Sequence, residues 1–73
     1  MRGQCVYLQV LVQMYLQGMD SHDLARKADM SYPTLRRKLR GDGGLSLEED
    51  KRIRRALQCS MPLEELFERR ENA

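Results

Sequence analysis

The stretch LARKADMSYPTLRRKLRG, Leu24 to Gly41, contains two short helical patterns separated by a turn. In the first pattern, Leu24, Ala25 and Ala28 form a narrow apolar stripe, and the alanines are small enough to let another helix approach closely. Asp29 stands where this helix should end, and aspartate tolerates the left-handed backbone conformation better than most residues. A second helix follows at once, so the stretch predicts a helix-turn-helix.

The second pattern has a clear beginning and a clear buried side. Ser31 is a candidate N-cap, and Pro33 lies in the first turn, where its missing N–H costs nothing. We therefore expect a helix over about 32–40, in which Leu35 and Leu39 are one turn apart and face the core. The residues left mostly outside are Tyr32, Arg36, Arg37 and Arg40.

The first helix is predicted from the spacing of its glutamines. Three glutamines recur every fourth residue within CVYLQVLVQMYLQG, residues 5–18, so they share one helical face. The opposite side is the expected core face, centred on Leu8, Leu11, Met14 and Tyr15. The apolar arc is wider than one core requires, with Val12 and Leu16 on its flank, and this excess suggests a partner surface.

Capping signals place three more helices. Asp20, followed by the acid Asp23, opens the helix that contains Leu24. The sequence from Ser46 to Glu49 has the form of a capping box, and Pro62 opens a short last helix. The expected core residues of these last two helices are Ile53, Ala56, Leu57, Leu63, Leu66 and Phe67. The fold class predicted is all-α, with five helices.

Length and composition exclude several classes of function. The 73 residues are 41% hydrophobic and 33% charged with a net charge of +2, which predicts one ordered domain over residues 1–73. Such a chain has little area for an enclosed active site, and isolated His22 has no second ligand or nucleophile nearby. We therefore expect no enzyme, metal, cofactor, small-molecule substrate or membrane span. Cys5 and Cys59 lack metal-site spacing, which favours free thiols in a reducing cytoplasm.

A resemblance to a known family rests on residues spread over nearly the whole chain. These residues are Leu24-Ala25, Met30-Ser31, Leu35, Gly41, Leu57 and Leu66-Phe67, together with the ending TLRRKLRG of the central stretch. They resemble the five-helix, lambda-repressor-like DNA-binding domain of phage repressor and Cro-like (XRE-type) regulators. The chain departs from the pattern at the turn, where Asp29 replaces the usual glycine.

The resemblance implies a function and a set of contacts. In such proteins the second helix of the motif lies in the major groove of double-stranded DNA and reads bases, commonly as a homodimer. Carried over by position, base-edge contact falls to Tyr32, Pro33, Thr34, Arg36 and Arg37. The expected phosphate contacts are Ser21, Ser31, Lys38 and Arg40. The implied function is that of a sequence-specific, cytoplasmic transcriptional regulator.

A second class of function stays open at this point. The same fold can serve as a protein-interaction module, such as an antitoxin-like or accessory regulatory subunit, because fold does not fix function. The chemical character of the exposed face of the third helix distinguishes the two classes of function. A protein-binding version should carry apolar residues there, whereas this helix carries arginines.

Overall fold

The computed structural model describes residues 6–69, which form five α-helices and, within that range, no strand. The all-α, five-helix prediction is confirmed. The prediction for Cys5 lies outside the described residues. The helices are α1 (Leu8–Leu16), α2 (Ser21–Lys27), α3 (Tyr32–Leu39), α4 (Leu47–Ala56) and α5 (Leu63–Leu66).

Side-chain caps define where three of the helices begin. At α2, the Asp20 carboxylate accepts the Asp23 N–H at 2.8 Å, and Asp23 accepts the Asp20 N–H in return. At α4, Ser46 and Glu49 form the same reciprocal pair. At α3, the Ser31 hydroxyl accepts the backbone N–H three residues later at 3.3 Å. These bonds satisfy N–H groups that a helix leaves without partners, and they confirm the predicted starts.

Helices α1 to α4 each end in the same way, with a residue in the left-handed backbone conformation. In each case the next N–H returns to the carbonyl five residues before it, as in the bond from Met30 to Ala25 at 2.9 Å. The residues with positive φ are Gly18 (64°), Asp29 (59°), Gly41 (92°) and Gln58 (52°). The predicted conformation of Asp29 is confirmed, and it makes the tight turn between α2 and α3.

One apolar cluster joins the helices. Helix α2 packs against α3 and α4, while α5 packs against α1 and α4. The predicted inward side of α3 is confirmed, since Leu35 is fully buried and Leu39 nearly so. The other fully buried large side chains are Val10, Leu24, Ile53, Leu57 and Leu66. With its inner side fixed by two leucines, α3 exposes Pro33, Arg36 and Arg37.

The predicted core face of α1 is wrong except at Met14. Val10 and Met14, one turn apart, are buried, and Tyr7 just before the helix joins them. The residues predicted to be buried but found exposed are Leu8, Leu11 and Tyr15. The helix is therefore rotated about its axis relative to the prediction.

Gln17 makes a contact that the glutamine spacing did not indicate. Its side-chain amide donates a hydrogen bond to the carbonyl of Leu57 at the end of α4, where helix carbonyls lack partners. Gln9 and Gln13 are half-buried next to the buried Val10 and Met14, whereas Gln17 stays exposed. The glutamine spacing thus identified the helix correctly but not the side that faces solvent.

The end of α3 is also tied to the start of the described chain. The Val6 N–H donates to the Leu39 carbonyl at 2.9 Å, which satisfies one of the last carbonyls of α3. Val6 itself packs against the core cluster. The carboxyl end of α3 is therefore held by a bond from outside the helix-turn-helix.

Candidate nucleic-acid interface

The outward side of α3 carries four exposed residues in two rows. Pro33 and Arg37 are one turn apart, and Arg36 and Arg40 are one turn apart beside them. All four lie away from the buried leucine side of the same helix. Three guanidinium groups consequently project from one face of a helix about two turns long.

The charges on this face are available to an external partner. Within residues 6–69, Arg36 and Arg37 form no ion pair. Arg40 lies 3.8 Å from the carboxylate of Asp42, and both side chains are exposed. An exposed ion pair of this length contributes little free energy, so a phosphate could take the place of Asp42.

Lys38 is different from its arginine neighbours. Its Nζ lies 2.7 Å from both carboxylate oxygens of Glu49, and the two side chains are only 17% and 21% exposed. The Lys38 hydrogen bonds, helped by the cap bond from Ser46, lower the pKa of Glu49. Lys38 therefore joins α3 to the capping box of α4. Its phosphate contact stays a prediction, and the outward face of α3 does not depend on it.

The first turn of α3 is organised by two side-chain contacts. The Ser31 hydroxyl donates to the Thr34 hydroxyl at 2.7 Å, which orients both groups. The Tyr32 ring stacks on the His22 ring of α2 with centroids 3.7 Å apart and planes 11° apart. Ser21, the first residue of α2, is half-buried next to His22. The start of α2 and the start of α3 thus lie side by side.

Two residues near this face were missed by sequence reasoning. His22 was interpreted as an isolated surface residue, yet its ring supports Tyr32. Arg69 reaches Gly41 at the end of α3, where an added Cβ would collide with its guanidinium group. Both contacts arise from tertiary packing between segments far apart in sequence or on separate helices, and no local spacing indicates them.

The predicted residues are brought together as a group. The five base-contact candidates, Tyr32, Pro33, Thr34, Arg36 and Arg37, all lie on α3. Among the phosphate candidates, Ser21 and Ser31 lie at adjacent helix starts and Arg40 lies at the opposite end of α3. A groove-binding helix needs this order, with backbone contacts at both ends of a base-reading centre.

Residues 6–69 contain no group of three His, Cys, Asp or Glu side chains that could hold a metal ion. None of the described helices combines the length and the apolar character needed to cross a membrane.

Comparison with known proteins gives one match. The family model described as a Cro/C1-type helix-turn-helix DNA-binding domain matches residues 9–71, which is most of the chain. No curated protein and no solved structure matches the sequence.

Proposed function

The chain belongs to the Cro/C1-type helix-turn-helix DNA-binding domain family. From that premise we propose that it is a transcriptional regulator that binds double-stranded DNA sequence-specifically. The observation that carries the proposal is the outward face of α3, where Arg36 and Arg37 are exposed and form no ion pair within residues 6–69. Arginine offers a two-pronged donor to the major-groove edge of guanine. The helix enters that groove with the face opposite Leu35 and Leu39.

Each proposed contact has a chemical role. Arg36 and Arg37 read bases, and Pro33 touches a thymine methyl group because it has no N–H to donate. Tyr32 and Thr34 contact bases from the first turn, where His22 and Ser31 hold them in place. The phosphate contacts are Ser21, Ser31 and Arg40, which set the position of α3 without reading sequence.

The regulator acts as a symmetric pair of the phage repressor type. One short reading helix covers too few base pairs for useful specificity, so two copies bind an inverted repeat whose half-sites lie about one helical turn, roughly 34 Å, apart. A domain of this size acts by occupying its site on the DNA, in the cytoplasm. Bound at its site, it either excludes polymerase or recruits a partner protein.

Selection of bound duplexes from a random-sequence pool tests the proposal. We expect an enriched inverted repeat, and we expect affinity for it to fall steeply with salt. Each phosphate contact contributes about −0.9 to the slope of log affinity against log salt. A pool that enriches no sequence removes specific recognition, and the absence of duplex binding even at low salt removes the DNA function altogether.

A protein-interaction function is the second candidate, and one observation favours it. Helix α1 exposes several large apolar side chains, whereas α3 exposes arginines. Because the two surfaces lie on different helices, protein contact by α1 is compatible with DNA contact by α3.

A further inference from the structure

The exposed side of α1 is an apolar surface with no charge. We define the α1 face as Leu8, Leu11, Val12, Tyr15 and Leu16, whose exposed fractions run from 37% to 83%. The residues follow the spacing of one helical side, opposite the buried Val10 and Met14. No acidic or basic residue occurs anywhere in Leu8–Leu16. A helical side of this kind is normally covered, because monomeric proteins rarely expose contiguous apolar patches.

We infer that the α1 face is where a second copy of this chain docks, an inference that rests on the proposed function for its role on DNA. The area supports this occupant: the face exposes roughly 500 Å² per copy, so two faces together bury about 1,000 Å², the lower limit for a specific interface. An uncharged face can meet its own copy without the like-charge repulsion that two basic or two acidic faces would create.

Tyr15 is the expected centre of the contact. It is 83% exposed, and an aromatic side chain supplies a large contact area at low entropic cost. In a two-fold arrangement the residue meets a different residue of the partner, and each contact occurs twice. Antiparallel α1 helices place Tyr15 of one copy over the Leu8 end of the other copy, with Val12 near the axis.

The proposed interface is small, so we expect the two copies to associate weakly in the absence of DNA. An interface near the lower size limit gives weak association, so the free protein dissociates on dilution. Two half-sites on one duplex raise the effective concentration of each copy, and the α1 contact then makes their binding cooperative. We therefore expect pairing through the α1 face to be seen most clearly on a duplex that carries both half-sites.

Sedimentation equilibrium of the protein without DNA tests the interface from about 1 μM to about 1 mM. We expect a monomer–dimer equilibrium whose Kd rises at least about tenfold in Tyr15→Lys and in Leu16→Lys. These two positions are the most exposed on the face, so neither change disturbs the core, and circular dichroism verifies this. Leu47→Lys is the matched control, because Leu47 is a 61% exposed leucine on α4 and its replacement should leave Kd unchanged.

The same variants on DNA separate this inference from the proposed function. Tyr15→Lys should abolish cooperative filling of the two half-sites and leave the affinity for a single half-site within about twofold of wild type. A protein that stays monomeric at every concentration and fills half-sites independently overturns the α1 interface and leaves DNA binding intact. A protein that dimerises through α1 yet binds no duplex overturns the proposed function alone. Dimerisation unaffected by both lysine substitutions also overturns the inference.

Discussion

Helices α1 and α3 are of similar length and each buries one side, yet their exposed sides are chemical opposites. The outer side of α3 carries Arg36, Arg37 and Arg40, whereas Leu8–Leu16 contains no charged residue at all. Burial of an apolar side explains why both segments are helices in this fold, but it does not distinguish what each outer side contacts. The two proposals made above follow this difference, with DNA contact assigned to α3 and protein contact to α1.

The largest expected effect is on stability, and it compares a buried leucine of α3 with an exposed leucine of α1. Leu35→Ala on α3 removes a fully buried side chain and should lower the free energy of unfolding by about 2–5 kcal/mol. Leu16→Ala removes the same atoms from the exposed side of α1 and should change it by less than about 0.5 kcal/mol. Urea denaturation followed by circular dichroism measures both. Similar losses would mean that the exposed side of α1 contributes to the core.

The next prediction concerns Arg37 and Arg40, which we expect to contact different parts of the DNA. Arg37→Ala should weaken binding to the selected DNA site by about 1–3 kcal/mol and relax selectivity at one base pair, because Arg37 lies on the side of α3 opposite the buried leucines. Arg40→Ala should weaken all sequences equally and reduce the salt slope by about one unit, because Arg40 lies at the carboxyl end of the helix. Fluorescence anisotropy with specific and unrelated duplexes measures both effects.

A control and a contrary outcome complete this test. Arg55 is an exposed arginine of α4 for which we propose no role, so Arg55→Ala should leave sequence selectivity unchanged. If Arg37→Ala lowers specific and unrelated binding by the same factor, Arg37 contacts phosphate and α3 is rotated in the groove.

Lys38 allows the comparison to be sharpened within α3 itself. Lys38→Met should lower the free energy of unfolding by about 1–2 kcal/mol at neutral pH, because the half-buried Glu49 loses a charged partner. Arg37→Met, an exposed neighbour on the same helix, should have almost no effect on stability. Urea denaturation at a series of pH values measures the difference.

The pH dependence of that difference has a definite sign. The folded-state pKa of Glu49 is lowered from its ordinary value of 4.5, chiefly by the hydrogen bond from Lys38. The stability contributed by the pair is therefore present above 4.5 and lost as the pH falls through the folded-state pKa. The deficit of Lys38→Met should shrink in acid. A deficit that stays constant with pH would show that lost packing, rather than the ion pair, causes it.

The smallest expected effects concern the turns beside the two helices. Gly18 ends α1 and Asp29 precedes α3, and both have positive φ. Gly18→Ala should lower the free energy of unfolding by about 1 kcal/mol, since a side chain there has space but an unfavourable backbone conformation. Asp29→Gly should raise it by about 0.5–1 kcal/mol for the same reason. The midpoint of thermal unfolding, measured for both variants and for the wild type, tests these two effects. A lower midpoint for Asp29→Gly than for the wild type would reveal a stabilising role of the carboxylate.

Local signals predicted the framework of the fold correctly. Asp20, Ser31 and Ser46 begin helices because their side chains bond to N–H groups three residues away, and such contacts depend on a few neighbouring residues only. The left-handed Asp29 was equally predictable, because a turn between two adjacent helices needs that conformation. Leu35 and Leu39 followed from their spacing.

What the sequence could not predict depends on contacts between distant residues. The hydrogen bond from the Gln17 side chain to the Leu57 carbonyl joins α1 to a residue 40 positions later. The pairing of Lys38 crosses from α3 to α4, and the stacking of His22 on Tyr32 requires the angle between two helices. Every residue of α1 is uncharged and most are apolar, so the periodicity identifies a helix without fixing which side is buried. The arginine-rich α3 offers that contrast, and its orientation was predicted correctly.

The hydrogen bond from the Val6 N–H to the Leu39 carbonyl makes one amide a convenient spectroscopic reporter. It attaches the chain before α1 to the last turn of α3 through backbone atoms alone. In hydrogen–deuterium exchange, the Val6 amide should exchange slowly while α3 is docked and rapidly once that end opens. Its nuclear magnetic resonance signal should shift when a duplex engages α3, although Val6 makes no nucleic-acid contact in the proposed arrangement. Occupancy of the reading helix could then be followed without a label on any residue that touches the ligand.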